Sequence, residues 1–253
     1  MGEIKGGVLI TGGARRLGAA IARAAAGMGF DVAIHCQASV DAAEALAEEL
    51  RTMGRRAAVV RADLAVEPDT ERVIAAAGVA LGPIAVLVNN AAVFELDRLA
   101  TADRESWDRH LDINLRAPIV LTQRFVAQLP PDRSGLVVNM IDQRVVNLTP
   151  NYLSYSVSKV GLWGATQVLA RELAPRVRVN AIGPGPVLPS PGLDEARFGV
   201  LCRATPLQRG PSPAEIAGAF RLIVESPSLT GQLIVLDGGQ SLGWLTPGAP
   251  VID

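Results

Sequence analysis

The 253-residue sequence predicts an α/β protein with a doubly wound parallel sheet of about seven strands and helices on both faces. Short apolar runs alternate with longer helical patterns along the chain, which is typical of βαβ units. The runs are apolar at consecutive positions, as in strands that are buried on both faces of a sheet. Because no linker or change of composition divides the sequence, we expect a single domain over residues 1–253.

The apolar runs give the expected strands. They are Val8–Ile10, Val32–Ile34, Ala57–Val60, Val86–Val88, Leu136–Ile141, Val177–Ile182 and Leu233–Leu236. The helical patterns between them are Leu17–Met28, Asp41–Met53, Asp69–Leu81, Arg104–Gln128, Ser156–Leu173 and Pro213–Val224. Ser212 and Glu215 form a capping-box pattern at the start of the last helix. Pro and Gly concentrate at 183–192, beyond the sixth strand, at the edge where such sheets bind ligands.

Composition excludes several classes of protein. Hydrophobic residues make up 49% and charged residues 19% of the chain, which is enough apolar material for a core and excludes a disordered chain. The 24 basic and 25 acidic residues give a formal net charge of −1, without the basic field that non-specific nucleic-acid binding needs. Cys36, Cys202, His35 and His110 show no disulfide framework and no metal-ligand spacing. We therefore predict no metal site and a reducing compartment.

The only stretch long enough to raise the question of a membrane span is the uncharged run 73–94. Gly82-Pro83 interrupts it, so a helix end, a turn and a buried strand account for it better. The N-terminal residues lack the features of a signal peptide. We expect a cytoplasmic protein without membrane contact.

A glycine-rich turn follows the first strand. The sequence Thr-Gly-Gly-Ala-Arg-Arg-Leu-Gly at 11–18 leads into a helix, whose N-terminal N–H groups and dipole can bind a pyrophosphate. Glycines also serve simply to turn the chain tightly, but their position between the first strand and a helix favours a Rossmann-type dinucleotide site. The predicted cofactor contacts in this turn are Gly12, Arg15, Arg16, Leu17 and Gly18.

The end of the second strand indicates which cofactor is bound. NAD sites usually place an acidic residue about 20 residues after the glycines to hold the ribose hydroxyls. Here the segment from His35 to Ser39 has no acidic residue, while Arg15 and Arg16 offer cations to a 2′-phosphate, although either could be merely solvated. The sequence therefore favours NADPH/NADP, with His35 and Ser39 as further candidate contacts.

Further motifs complete a recognisable set. They are Asp63-Leu64, Asn89-Asn90-Ala91, Asn114, the Tyr155–Lys159 segment Tyr-Ser-Val-Ser-Lys, Pro184-Gly185 and Asp237-Gly238-Gly239. Together with the glycine turn they resemble the classical short-chain dehydrogenase/reductases over nearly the entire chain. The resemblance implies cofactor contacts at Asp63, Leu64, Asn90, Ala91, Tyr155, Lys159, Pro184 and Gly185, catalytic roles for Tyr155, Lys159 and Asn114, and a homotetramer.

Three positions depart from the common family pattern. Arg16 replaces the middle glycine of the turn, Asp142 stands thirteen residues before Tyr155 in place of the catalytic serine, and Phe94 follows the Asn-Asn-Ala motif. These features are similar to the pteridine reductases and bacterial dihydromonapterin reductases. The likeness implies that Arg16, Phe94, Asp142 and Tyr155 contact a pterin-like substrate. The second strand differs from that subgroup, which often has an arginine at the position of Ala38.

The catalytic residue types indicate the chemistry. Tyr155 and Lys159 are four residues apart and share a helix face, so the ammonium should lower the tyrosine pKa from about 10. By resemblance, Lys159 also holds the nicotinamide ribose and Asn114 completes a water-linked proton path. An ionised Asp142 only accepts hydrogen bonds and would raise the Tyr155 pKa. It suits a ring with N–H donors, or a C=N bond that gains a proton, better than a ketone; as a buried neutral acid it could also donate.

The sequence thus predicts an NADPH-dependent reductase that transfers hydride to a dihydropterin or related heterocycle, with Asp142 catalytic. The alternatives are a carbonyl reductase acting on a sugar, steroid or acyl substrate, and a non-catalytic NADP-binding regulator. Asp142 could instead point away and cap the residues from Gln143 onward. In the expected homotetramer, Arg104–Gln128 and Ser156–Leu173 form one interface and the apolar tail Leu242–Leu245 packs at another.

Other conspicuous side chains are given structural roles. Trp107, Trp163 and Trp244 are expected to pack internally or at interfaces, and His110 to lie at the surface or an interface. Arg203 and Arg209 either face the substrate or are solvated, as loop charges usually are.

Overall fold

The computed structural model describes residues 4–190 and 192–243, which form an α/β domain around one parallel sheet. The strand order is β3-β2-β1-β4-β5-β6-β7, so the predicted doubly wound Rossmann-type fold is confirmed. The strands are β1 (Gly7–Ile10), β2 (Asp31–Cys36), β3 (Ala57–Arg61), β4 (Ile84–Asn89), β5 (Gly135–Met140), β6 (Val177–Pro184) and β7 (Leu233–Leu236).

Helices cover both faces of the sheet. They are α1 (Arg16–Gly27), α2 (Val40–Thr52), α3 (Glu67–Leu81), α4 (Arg104–Leu111), α5 (Ala117–Gln128), α6 (Leu153–Glu172), α7 (Glu195–Arg203) and α8 (Pro213–Glu225). Strand residues alternate between the two sides: Val8 and Ile10 pack with α1, α2 and α8, whereas Leu9 packs with α3, α5 and α6. This two-sided burial explains why the strands are uninterrupted apolar runs. The Ser212 capping box at α8 is present as predicted.

Two helix predictions need correction. The single helix expected over Arg104–Gln128 is divided into α4 and α5 by a π-helical segment, Asp112–Arg116. Helix α7 was not predicted, and no side chain in it is fully buried, so it lacks the apolar stripe that marks a core helix. Within the two described ranges, no helix has both the length and the apolar character needed to span a membrane.

The aromatic and tail residues fall in different environments. Trp107 and Trp163 are half-buried, and Trp163 packs beside Ile141. In the tail expected at an interface, Leu242 is exposed, while Trp244 and Leu245 lie outside the described residues.

The carboxyl ends of the strands meet at one edge of the sheet. β1 and β4 are neighbours there, at the point where the strand order reverses. The loops that leave these two strands therefore diverge and open a crevice, the usual ligand position in such a sheet. Most of the predicted site residues lie in the loops and helix starts after the strands; His35 and Pro184 lie in strands and Asn114 in the π-helical segment.

Candidate active site

The glycine turn is fixed by contacts with the loop after β4. Thr11 Oγ1 accepts hydrogen bonds from the backbone N–H groups of Asn90 and Ala91, at 2.9 and 3.0 Å. Asn90 Nδ2 donates back to the carbonyl oxygens of Thr11 and Gly12. At Gly18, an added Cβ would lie 2.3 Å from the Gly12 carbonyl oxygen, so only glycine allows this approach. The two loops therefore form one tightly packed wall of the crevice.

The start of α1 is free to meet an anion. Its N-cap residue, Arg15, makes no side-chain capping bond, and the first turn carries no acidic residue. A cavity of about 380 Å³ adjoins this helix end and includes the predicted residues Gly12, Arg15, Arg16, Leu17, Gly18, His35, Asp63, Leu64, Asn90 and Ala91 in its lining. Uncapped N–H groups, a helix dipole and two arginines fit the pyrophosphate of a dinucleotide.

Arg16 occupies a backbone conformation that usually selects glycine. Its φ is +53°, in the left-handed region, which explains why glycine is the family residue here. Its Nη2 donates to the carbonyl of Leu188 at 3.3 Å, which connects the glycine turn to the segment after β6. Arg16 thus lines both the first cavity and a second one beside it.

The end of β2 differs from the prediction in one of the residues that line the cavity. Burial lowers the His35 pKa to about 4, so the ring is neutral at pH 7. Its Nδ1 accepts the Gly12 N–H at 3.2 Å and thereby supports the turn from below. Ser39 lies at the start of α2 and is not part of the cavity lining. Gln37, which the sequence analysis passed over, lines the cavity instead and donates to Asp63 Oδ2 at 2.8 Å.

Asn114 and Lys159 are both buried; Lys159 lines the second cavity, whereas Asn114 lines neither. Asn114 lies in the π-helical segment and pairs with both backbone groups of Val93: Oδ1 accepts the N–H at 2.8 Å and Nδ2 donates to the carbonyl at 2.9 Å. Lys159 Nζ donates to the Met140 carbonyl at 2.8 Å. Burial lowers the Lys159 pKa to about 8, against the opposing effect of the Asp142 carboxylate.

Asp142 and Tyr155 form a direct pair. The Tyr155 hydroxyl donates to Asp142 Oδ2 at 2.8 Å, while Asp142 Oδ1 accepts the backbone N–H of Arg144 at 2.8 Å and so caps the short 3₁₀ turn Gln143–Val145. Asp142 therefore caps this turn with one carboxylate oxygen and contacts Tyr155 with the other.

The prediction that Lys159 lowers the Tyr155 pKa is wrong for this structure. Burial raises that pKa well above 10, and the charge and hydrogen bond of Asp142 raise it further, as the like-charge argument predicts. The Arg144 guanidinium acts in the opposite direction. Tyr155 is therefore a neutral hydroxyl at physiological pH.

An aromatic wall stands beside this pair. The Phe94 ring stacks on the Tyr152 ring, with centroids 4.3 Å apart and planes at 11°. It also meets the edge of Tyr155 at 4.7 Å. The second cavity, of about 440 Å³, lies between these side chains and the segment after β6. Pro184 and Gly185 line it, as do Phe198 and Leu201 of α7, which sequence analysis missed.

Behind Tyr155 lies a buried polar network. His110 is fully buried, contrary to the surface or interface position that was predicted, because the chain before α4 folds over it. Its Nδ1 lies 2.8 Å from Ser154 Oγ, and its Nε2 accepts the Glu95 N–H at 3.2 Å. Asp97 accepts hydrogen bonds from Ser106 and Ser154, which lower its pKa although burial acts to raise it.

A larger cavity, of about 780 Å³, lies at the opposite edge of the sheet and contains none of the predicted residues. Two of its arginines are used in the fold: Arg56 pairs with Asp31, and Arg178 donates to the carbonyls of Val224 and Leu229. Arg209 is likewise exposed and paired, with Glu215. Asp142, Tyr155 and Lys159 line the second cavity, at the carboxyl edge.

Comparisons with known proteins agree with this geometry. Residues 7–197 match the family model for short chain dehydrogenases. The 3-oxoacyl-[acyl-carrier-protein] reductase FabG of Staphylococcus epidermidis is 30% identical, over 91% of this chain and 97% of the relative.

Among solved structures, FolM alternative dihydrofolate reductase 1 from Brucella suis, in complex with NADP, is 47% identical with a TM-score of 0.92, over 96% of this chain and 98% of that one. The corresponding protein from Brucella canis, complexed with NADP, is 46% identical with a TM-score of 0.93, over 98% of both chains. On its sequence, its sheet topology and the arrangement of its crevice, the chain belongs to the short-chain dehydrogenase family.

Proposed function

We propose that this protein is an NADPH-dependent oxidoreductase that transfers hydride to a dihydropterin or a related pteridine. The observation that carries the substrate class is the Asp142 carboxylate, 2.8 Å from the hydroxyl of Tyr155, whose ring meets Phe94 in the same cavity. The likeness to FolM alternative dihydrofolate reductase 1 from two Brucella species supports the same class.

The first cavity fits NADPH. The uncapped start of α1 and Arg15 would hold the pyrophosphate, and Gly12 and Gly18 allow its close approach. Lys159, in the wall of the adjoining second cavity, would hold the nicotinamide ribose. When bound, NADPH supplies the hydride.

The end of β2 presents Gln37 rather than a free carboxylate, which favours a 2′-phosphate. Isothermal titration should therefore show tighter binding of NADPH than of NADH, and equal or tighter NADH binding would contradict this assignment.

Asp142 and Tyr155 account for the substrate preference. A C=N bond that accepts hydride at carbon must gain a proton at nitrogen, and neutral Tyr155 carries a transferable proton at the cavity wall. Asp142 can accept a hydrogen bond from a ring N–H. A ketone would instead develop an oxyanion beside this carboxylate, which repels it. A flat ring can also pack against Phe94.

A carbonyl reductase is the second candidate. Lys159 Nζ lies 5.8 Å from the centre of the Tyr155 ring, and Asn114 donates to Ser158 next to Lys159. This proximity and the curated relatives, which include 3-oxoacyl-[acyl-carrier-protein] reductases, support the second candidate. The Asp142 carboxylate, which would repel a developing oxyanion, argues against a carbonyl reductase. Turnover of any substrate would exclude the remaining alternative, a non-catalytic NADP-binding regulator.

The deciding experiment is an NADPH-oxidation assay with dihydrobiopterin, dihydromonapterin, dihydrofolate, an acetoacetyl thioester and a panel of ketones side by side. We expect dihydropterins to give the highest kcat/KM. Efficient reduction of the thioester or ketones without pterin turnover would assign the protein to the carbonyl reductases.

A further inference from the structure

Arg144 lies in the wall of the substrate cavity, two residues beyond Asp142 in the 3₁₀ turn after β5. Its guanidinium carbon lies 5.4 Å from the centre of the Phe94 ring and 5.1 Å from that of Tyr152. The guanidinium therefore sits beside both members of the stacked aromatic pair. Asp142 is hydrogen-bonded to Tyr155. The short segment from Asp142 to Arg144 therefore brings a carboxylate and a cation next to the aromatic side chains.

The hydrogen-bonding capacity of Arg144 is poorly used. A guanidinium has five N–H donors. Nη1 reaches Asp142 Oδ2 at 3.4 Å, a long contact, and the Arg144 side chain is only 22% exposed. Its Nε is buried and has no hydrogen-bond partner among the described residues. Nη2, which is not enclosed in the same way, also makes no hydrogen bond to a described residue, and Arg144 lines the cavity. An acceptor atom on a bound ligand would therefore use donors that the fold leaves open.

Arg144 and Asp142 also complement each other chemically. The carboxylate can only accept hydrogen bonds and the guanidinium can only donate them, and they stand side by side on the same cavity wall. A substrate that satisfies both must carry an N–H donor close to an acceptor atom. A nitrogen heterocycle with ring N–H groups and ring carbonyl or imine atoms has both, whereas a simple ketone has the acceptor alone.

We propose that Arg144 is a substrate-binding and specificity-determining residue, which donates to an acceptor atom of the heterocycle while Asp142 accepts from its N–H. This inference rests on the proposed pteridine activity and extends it to a residue outside the Tyr155–Lys159–Asn114 set. It places recognition of the ring on a paired donor and acceptor instead of on Asp142 alone.

Arg144→Met tests the proposal, because methionine keeps much of the packing against Phe94 and removes every donor. We expect kcat/KM for the preferred dihydropterin to fall about 10- to 100-fold, the usual effect of losing a hydrogen bond to a charged group. Fluorescence titration should show a similar loss of affinity of the enzyme–NADP complex for oxidised biopterin, a ligand that reports binding without turnover. The affinity for NADP itself should change less than threefold, because Arg144 does not line the first cavity.

Two further variants control for folding and for charge. Arg144→Lys keeps the positive charge but loses the planar fork, so it should recover only part of the pterin affinity. Arg104→Met removes an exposed arginine that pairs with Asp108 away from both cavities, and it should behave as wild type. Thermal unfolding of each variant separates loss of recognition from loss of the fold.

The outcomes distinguish this inference from the proposed function. If wild type reduces dihydropterins and Arg144→Met binds biopterin and reduces dihydropterins equally well, the role of Arg144 is refuted while the function stands. If Arg144→Met loses NADP affinity or thermal stability along with pterin binding, Arg144 is structural and the proposal fails. If wild type reduces ketones only, the proposed function and this inference both fall.

Discussion

At the scale of single residues, Asp142 separates the two enzyme candidates. Replacing it by serine keeps a capping oxygen for the turn at Gln143–Val145 but removes the negative charge beside Tyr155. Asp142 is hydrogen-bonded to the proton donor Tyr155, and disturbing such a proton-transfer pair typically lowers the rate about 10²–10⁴-fold. We predict such a fall in dihydropterin reduction by Asp142→Ser, with NADPH affinity nearly unchanged. Steady-state kinetics and isothermal titration measure the two effects.

Ketone reduction should respond in the opposite way, since serine restores a donor for the developing oxyanion. Any weak carbonyl-reductase activity of wild type is therefore expected to stay constant or rise in Asp142→Ser. Tyr155→Phe serves as the control and should impair ketone reduction in either background. Full pterin activity in Asp142→Ser would show that the carboxylate only caps the turn.

His35 makes stability depend on pH. Its pKa is about 4 in the folded protein, against 6.5 when unperturbed, because burial disfavours the charged ring. The unfolded chain therefore binds the proton first as pH falls, and stability is lost between pH 6.5 and about 4. That shift corresponds to about 3 kcal/mol of unfolding free energy. His35→Gln cannot titrate, so urea unfolding at pH 7 and pH 4.5 should show a smaller loss than in wild type.

Comparing the two proteins cancels the contribution of the carboxylates, which titrate in both. An equal loss of stability in wild type and His35→Gln would mean that the ring becomes protonated without disturbing the glycine turn. The hydrogen bond from Gly12 to Nδ1 makes that outcome unexpected, because a protonated Nδ1 cannot accept it.

At the scale of elements, local sequence signals predicted the strands and the glycine turn well. β1 and the start of α1 follow from an apolar run, a left-handed glycine and a helix pattern, all within residues 7–18. The π-helical segment around Asn114 was not predictable, because it is held by Val93, which lies 21 residues away in sequence. The unused donors of Arg144 likewise became apparent only once Phe94 and Tyr152 were placed beside it.

The N-cap residue of α6, Tyr152, makes no side-chain capping bond. Asp97, which is distant in sequence, caps the helix instead. Its carboxylate accepts the Ser154 N–H in the first turn of α6 and the hydroxyl of Ser106, and its own carbonyl accepts the Tyr152 N–H. The segment that carries Phe94 is thereby fastened to the helix that carries Tyr155. Asp97→Ala leaves buried donors without acceptors, which should cost about 2–4 kcal/mol of unfolding free energy. Urea unfolding measures the loss.

Asp103→Ala is the matched control, since Asp103 caps α4 through one exposed hydrogen bond to the Ser106 N–H. Loss of such a cap costs about 1 kcal/mol. Asp97→Ala should also lower kcat for dihydropterin more than Asp103→Ala does, because Phe94 loses its fixed position beside Tyr155. Equal effects of the two substitutions would show that Asp97 acts as an ordinary cap.

At the scale of the whole molecule, the sheet order brings distant residues together. Asp63, Asn90, Asp142 and Gly185 follow four different strands and meet at one edge because all strands are parallel. The sequence could therefore predict that residues after these strands lie at one edge, although it missed Gln37 and placed Ser39 in the lining. It could not predict their distances, which depend on the packing of both helix layers against the sheet.

The outer face of α6 leads to the last prediction, that the protein is a homotetramer. Val157, Val160 and Val168 fall on one stripe of this helix and are 43%, 40% and 61% exposed. Gly164 lies on the same stripe, and a Cβ there would meet nothing within 4 Å, so another helix can approach closely. An exposed apolar stripe of this kind favours association.

Light scattering after size exclusion should give four times the chain mass for wild type and a smaller species for Val168→Asp, which places a charge in the proposed interface. Val79→Asp, at a 91% exposed position on α3, should leave the mass unchanged. A stable wild-type monomer at micromolar concentration would contradict the prediction.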